Sequence, residues 1–325
     1  MDRREFIKRA LFFGGSAAMA GGALVYFSED RENKDSGKNG ERNYAGARMK
    51  SFAPETDQGQ ETRDIVIISA SNLERNLKSA LKELGGIDRF IRKGEKVLLK
   101  PNLLLPREPE FAATTNPELV KTLVMICLEA GAAEVAVADN STGDLKSALE
   151  KSGIGEAASE AGARVIEEIG DFIEAEINGV VIKKWKVFRE FFEFDRVINV
   201  PIIKHHSLSR ATAGMKNWFG VLGGERGLLH QDIHGSIVDI ASAFKPTLTV
   251  VDGIRILMSN GPSGGSLDYV KKANAVILGT DQVALDALSC GYLDVDPSEI
   301  GYISMAEKRG LGTADLKKLK IKEII

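Results

Sequence analysis

All four histidines of this 325-residue chain, His205, His206, His230 and His234, fall within residues 201–235. The same stretch holds Lys204, Lys216, Arg210 and Arg226, interrupted by glycines at 214, 220, 223, 224 and 227. An imidazole titrates near neutrality, so His206 is a candidate general base. His230 and His234 stand four apart, which puts both rings on one face of a helix and suits two ligands of one metal, with His205 or His206 as a third. No glutamate occupies the H-E-x-x-H position, so the zinc-protease motif is absent. A helix face that merely carries two polar residues fits the same spacing. Lys204, Lys216 and Arg210 among backbone-exposing glycines make a cradle for a carboxylate or phosphate. Lys216, in A-G-M-K-N-W-F-G, is also a candidate covalent attachment point for a carbonyl or a cofactor. No G-x-x-x-x-G-K-[ST] occurs, and the glycine-rich residues 259–265 read as a plain turn.

Bringing these groups together requires a scaffold, and the hydrophobic pattern supplies one. Residues 197–200 (V-I-N-V) form a short apolar run that Pro201 should end, because proline cannot donate to a strand ladder. Similar runs at 64–69, 95–99, 133–138, 246–251 and 275–279 alternate with helical patterns at 72–84, 116–130, 145–161, 230–244 and after 281. Such alternation predicts an α/β fold with a mainly parallel sheet flanked by helices, Rossmann-like and three-layered, with a small β excursion around 174–194. Five strands end in polar residues: Lys100 and Asn102; Asp139 and Asn140; Lys204 with two histidines; Asp252; and Asp281. In a parallel sheet these ends share one edge, where open α/β sheets bind ligands. The candidate catalytic groups are therefore His206, Lys216, Lys204 and Asp252. The candidate cofactor contacts are Lys216, Asn217, Lys100, Asn102 and Asp281.

Composition narrows the function classes. Hydrophobic residues make up 43% of the chain and the formal net charge is -3, enough for a sizeable core and without a basic footprint for nucleic acid. Only Cys127 and Cys290 occur, far apart, which argues against an iron–sulfur cluster or a disulfide framework. Arg3 and Arg4 precede an uncharged run over residues 10–27 that is rich in glycine and alanine. This resembles a twin-arginine export signal, and the run is also long enough to span a bilayer, so a cleaved signal and a membrane anchor are both open. The resemblance implies the twin-arginine export machinery as a partner, membrane contact through residues 10–27 and an extracytoplasmic location. Residues 28–63 are polar without an apolar period and read as a flexible linker, leaving 64–325 as the folded domain.

Lys100-Pro-Asn102, T-N-P-E-L-V at 115–120, Asp139-Asn-Ser, Lys204-His205, A-G-M-K-N at 213–217 followed by Gly220, and Gly279-Thr-Asp281 together resemble the domain of unknown function family 362. The resemblance runs from about Val97 to about Gly291. Many relatives in that family carry iron–sulfur cysteine motifs, which this chain lacks. A weaker similarity runs to the N-terminal part of nickel-pincer lactate racemases, where a histidine lies ten residues before the lysine that carries the cofactor. His206 and Lys216 have that separation, and His230 or His234 stands where a later histidine binds nickel. No histidine precedes His205, so the racemases' other catalytic histidine has no counterpart, which argues against lactate racemisation as such. The implied function is an exported enzyme using a metal or metal-bearing cofactor on a small anionic substrate. The alternative is an extracytoplasmic binding protein that holds such an anion without turning it over.

Overall fold

The computed structural model describes residues 47–54 and 62–324. The chain runs through β1 (Ala47–Arg48), β2 (Ile65–Ser69), α1 (Leu73–Glu83), β3 (Lys96–Pro101), α2 (Pro117–Glu129) and β4 (Glu134–Val137). Helices α3 (Leu145–Ser152) and α4 (Ile154–Glu160) lead to β5 (Arg164–Val165), β6 (Phe172–Glu176), β7 (Lys184–Phe188), β8 (Arg196–Val200), β9 (Ile202–His206) and β10 (Arg210–Thr212). Then follow α5 (Gly214–Asn217), α6 (Ile233–Ala243), β11 (Leu248–Leu257), β12 (Val270–Gly279), α7 (Gln282–Tyr292), α8 (Gly301–Lys308) and β13 (Ile321–Ile324).

Side-chain alternation along the strands makes the layers. In β3, Val97 and Leu99 enter one apolar core while Leu98 enters the other; in β12, Val276 and Leu278 face one and Ile277 the other. A strand buried on both faces must be apolar throughout, which is why these runs read as continuous rather than alternating. The first core is closed by α1 and α2, through Leu77, Leu81, Leu119 and Leu123. The second is closed by α6, α7 and α8, through Ile237, Ile240, Leu285 and Ile303. The fold is α/β, a sheet flanked by helices on both sides.

The large sheet has the order β13-β2-β12-β11-β8-β3-β4-β5, with β9 pairing to β11 and β10 to β9. Its pairings are parallel except those of β12 with β11 and β2 and of β10 with β9. The chain steps outward from β3 to β4 and β5, then crosses back to place β8 on the other side of β3. A reversal of this kind leaves a crevice beyond the carboxyl ends of the strands, between the two sets of connections. A separate three-stranded sheet, β1-β6-β7, is the excursion around 174–194, and Trp185 Nε1–H donates to Gly223 O at 2.9 Å.

Several local expectations need correction. Pro201 ends β8 but not the extended chain: β9 starts at the next residue and pairs with β11, so Lys204, His205 and His206 sit on a strand rather than in a loop. The helical pattern at 145–161 is two helices, because Gly153 takes φ +69 and turns the chain. Inside the expected linker 28–63, β1 pairs with β6 and Phe52 is buried against Phe191 at 5.3 Å, since an aromatic ring of that size packs where the core offers an edge. The reading of residues 1–27 lies outside the described residues. No helix among the described residues is long and apolar enough to cross a membrane.

Two aspartates expected at the site hold backbone instead. Asp281 caps α7, accepting from the N–H groups of Val283 and Ala284, and its other oxygen accepts from Thr313 N–H. Asp252 is fully buried and accepts from the N–H groups of Asn116 and Ile254, tying β11 to the start of α2. Both end a strand, as the pattern indicated, yet each spends its oxygens on amides that nothing else would satisfy. Asp281→Ala should therefore lower stability by about 1–2 kcal/mol in urea unfolding. A midpoint equal to wild type would show that the carboxylate is not holding the helix.

Candidate functional site

At the crevice, the ends of β3, β4 and β9 and the short helix α5 enclose a cavity of about 360 Å³. Strand alternation decides which β9 residues reach it. Lys204 and His206, two apart, share a face and line the cavity. His205 lies between them and points the other way, where its Nδ1 accepts from Gly261 N–H at 3.1 Å. Thr212 lies opposite Lys204 in the β9–β10 ladder and joins it in the lining.

Four cationic side chains, Lys100, Lys204, Lys216 and Arg226, line the cavity with a single carboxylate, Asp139. Lys100 is fully buried and pairs with Asp139 at 2.6 Å, while Asp139 also accepts from Leu103 N–H. A Cβ on Gly220 would collide with Asp139 and Lys100, so a glycine is required where this loop crosses the pair. Lys204 Nζ donates to Asn102 Oδ1 at 2.9 Å and to Ala113 O at 2.6 Å. Arg226 donates to the carbonyls of Asn140, Phe219 and Ser141, which fixes its guanidinium at the rim. Lys216 Nζ sits over the Phe219 ring, 4.5 Å from its centroid, and has no hydrogen-bond partner among the described residues.

Burial and mutual repulsion weaken these ammonium groups. Desolvation, together with Lys216 and Lys100, brings Lys204 down to about 7, against the opposing pull of Asp139. Desolvation first, then Arg226, brings Lys216 down to about 8. Behind them, Asn217 donates to Lys100 O and to Asn199 Oδ1, and its own oxygen accepts from Asn102 Nδ2. The two asparagines thus brace the lysines rather than face a ligand with free amides. Asp286, buried under α5, accepts from Gly214 N–H at 2.6 Å and from Met215 N–H, anchoring the helix that presents Lys216.

The four histidines separate into different roles. His206 Nδ1 accepts from the N–H groups of Leu208 and Ser209. Its lone pair is therefore used, the neutral ring carries its proton on Nε2, and burial next to Lys216 holds its pKa far below the usual value. A ring so arranged donates a hydrogen bond and is not a base, which corrects the general-base expectation. His230 stacks on His206 at 6.3 Å between centroids and also lines the cavity. Desolvation first, then Lys216, lower its pKa, against backbone hydrogen bonds at Gly227 and Arg226 that raise it, and a neutral ring has one nitrogen without a proton. His234 lies elsewhere: its Nδ1 accepts from Tyr302 N–H and its ring stacks on Tyr302. The expected shared helical face fails because Asp232 caps α6, which starts at Ile233, leaving His230 in the preceding turn (Arg226–His230).

Of the residues marked by sequence, the cavity gathers Lys100, Asn102, Lys204, His206, Lys216, Asn217 and His230; His205, His234, Asp252 and Asp281 lie outside it. Asp139 and Arg226 are the groups whose importance the pattern understated. Asp139 was legible as a strand end, and Arg226 as part of the glycine-rich stretch. Thr212 gives no signal in the sequence. Pro262 and Ser263 of the glycine-rich turn form part of the wall, because Gly261 packs on the backbone of β9 at His205.

The family model described as domain of unknown function (DUF362) matches residues 97–291. The chain belongs to this family. A thylakoid-associated protein of Synechocystis sp. is 28% identical over 250 residues, covering 74% of this chain and 76% of the relative. Among solved structures, the lactate racemase apoprotein of Thermoanaerobacterium thermosaccharolyticum matches with a TM-score of 0.44 at 13% identity, over 73% of this chain and 58% of that one. A Thermotoga maritima protein matches with a TM-score of 0.33 at 12% identity, over 74% of this chain and 59% of its own. The chain thus spans less than two thirds of either solved structure.

The donors in this DUF362 pocket do not fit a directly ligated metal ion. His205, His230 and His234 do not meet, and no group of three or more His, Cys, Asp or Glu side chains able to hold a metal occurs among the described residues. His206 has already committed its Nδ1 lone pair, and Asp139 is committed to Lys100. Cys127 and Cys290 are buried, and burial pushes both thiols up to about 12, far from the thiolate form. The chemistry of the pocket is that of amines and imidazoles.

The weakened lysines predict a pH profile. An unfolded lysine titrates near 10.4, whereas Lys204 and Lys216 release their protons near 7 and 8 in the fold. Between these values the unfolded chain holds more protons, so stability rises with pH. The urea midpoint of ligand-free protein should climb between about pH 8 and 10, and Lys204→Met should flatten the climb. A flat wild-type profile would mean that both lysines stay charged in the fold.

Proposed function

We propose that this protein is an enzyme that draws a small carboxylate or phosphate into the pocket and moves protons on it with amine and imidazole groups. One observation carries the reading: three lysines and an arginine converge on one cavity with a single carboxylate. Such an excess of buried positive charge is costly until an anion completes it. A mere binding protein would profit from fully charged lysines, since charge-assisted hydrogen bonds are the stronger ones. Lowered amines instead favour proton transfer or nucleophilic attack near neutral pH. His206 supplies a neutral hydrogen-bond donor, while the Lys204 ammonium, lowered to about 7, and the neutral ring of His230 make an acid–base pair beside the anion cradle.

The test is stabilisation by anions. Phosphate and small mono- and dicarboxylates should raise the melting temperature, and calorimetry should find binding roughly 10- to 100-fold weaker in Lys204→Ala and in Lys216→Ala. If no anion stabilises the protein, or if both variants bind as well as wild type, the reading fails.

We propose further that the protein works outside the cytoplasm, delivered by the twin-arginine machinery and held at or released from the membrane through residues 10–27. The arginine pair and the uncharged run that follows support this, and the Synechocystis relative is named for an association with the thylakoid, a membrane. Replacing Arg3 and Arg4 by lysine should retain the protein in the cytoplasm on cell fractionation. Unchanged export of that variant would end the proposal.

A further inference from the structure

An anion cradle works best with charged amines, yet Lys216 is built to lose its charge. It is about nine-tenths buried, and no carboxylate pairs with it. Its nitrogen rests on the Phe219 ring without a hydrogen-bond acceptor among the described residues. Arg226 presses on it, and burial with that neighbour takes it down to about 8. A lysine desolvated beside another cation is the arrangement that makes an amine nucleophilic.

Around it lie donors with nothing to hold. Thr212 Oγ1 is buried, lines the cavity and has no hydrogen-bond partner among the described residues. Lys204 uses two N–H groups on Asn102 and Ala113, so its charged form has a third to give. His206 offers its Nε2–H, because its other nitrogen is already an acceptor. Donors grouped in this way suit the two oxygens of a carboxylate. A phosphate would be served by them alone and would leave the nucleophile at Lys216 without a purpose.

We propose that Lys216 forms an imine with a 2-oxo acid, an inference that rests on the anion-binding reading above and names its substrate class. Lys204, Thr212 and His206 hold the carboxylate, and the Lys216 lone pair attacks the neighbouring carbonyl carbon. The C–N bond forms as the C=O π pair moves to oxygen. The free nitrogen of His230 takes a proton from the new ammonium and passes it to the alkoxide, giving the carbinolamine; a second proton, taken up from solvent, goes to the hydroxyl as the nitrogen lone pair expels it as water. Amine, carbonyl and one proton become iminium plus water, with no change of oxidation state and no other co-reactant. The iminium so formed acidifies the adjacent C–H, which gives the acid–base pair of the pocket a proton to move.

The experiment treats the full-length protein with glyoxylate, pyruvate or 2-oxoglutarate, reduces with sodium borohydride, and reads intact mass followed by peptide mapping. Succinate and propionate, which lack the carbonyl, are run in parallel as thermal-shift probes of anion binding. The expected result is a reduced adduct on the peptide carrying Lys216, with a yield that grows between about pH 7 and 9 as the amine loses its proton. Lys216→Arg should yield no adduct while still being stabilised by succinate. Should that variant not fold, the peptide map of the wild-type protein still decides. Stabilisation by succinate without an adduct at Lys216 overturns the imine and leaves the anion reading standing. An adduct confined to other lysines, or a modification already on Lys216 before any acid is added, also overturns it. Neither stabilisation nor adduct removes both proposals together.

Discussion

The site depends on how the protein keeps an ammonium ion in its interior. Lys100, near the end of β3, has no solvent exposure; its ammonium meets the carboxylate of Asp139, just past the neighbouring β4, at 2.6 Å and the carbonyl of Pro101 at 2.8 Å. Breaking a buried pair of this kind by removing one partner typically costs about 3–5 kcal/mol, because the remaining charge is stranded. The pair is sealed on one side by Gly220, where any larger residue would collide with it, and Asn140 N–H donates to Gly220 O to hold that loop in place. Asp139 thereby answers one cation out of four. Lys204, Lys216 and Arg226 share the same low-dielectric space without a carboxylate of their own; desolvation lowers the affinity of all three for protons, and for the two lysines neighbouring cations add to it.

Behind the charges stands a layer of polar groups that fixes geometry. Asn102, Asn217 and Asn199 form a chain of hydrogen bonds that joins the end of β3, α5 and β8. Asn199 also donates to Gly214 O, and Asp286 receives the first amides of α5 from the other side. A helix of four residues has little cohesion of its own, so these bonds determine where Lys216 points. Buried carboxylates outside the pocket have the same kind of duty: Asp239 accepts from the amides of Val180, Val181 and Ile182 and pairs with Arg309. Asp239, Asp252 and Asp286 thus hold backbone, and of the carboxylates only Asp139 lines the pocket.

Much of this was legible in the order of residues. The alternation of apolar runs and helical stripes indicated a mainly parallel sheet between helices, and the polar ends of successive strands indicated its ligand edge. Lys100, Asn102, Lys204, His206, Lys216, Asn217 and His230 are all found there. The same rule over-reached at Asp252 and Asp281, because a carboxylate at a strand end serves a helix cap or a loop amide as readily as a ligand. The histidine spacing misled for a related reason. Asp232 sets the start of α6 and so removes His230 from the helical register that its distance from His234 suggested.

Sequence alone determined that the chain would bury a two-faced sheet and bring basic residues to one edge of it, since hydrophobic periodicity and strand ends are local properties. Tertiary structure alone decided which groups are available for chemistry. Whether an imidazole is a base or a donor depends on which of its nitrogens a backbone amide occupies, and for His206 those amides come from the turn between β9 and β10. Whether a lysine is charged depends on the desolvation and the neighbours that strands distant in sequence impose on it. Both are consequences of three-dimensional proximity, which residue spacing along a chain does not encode.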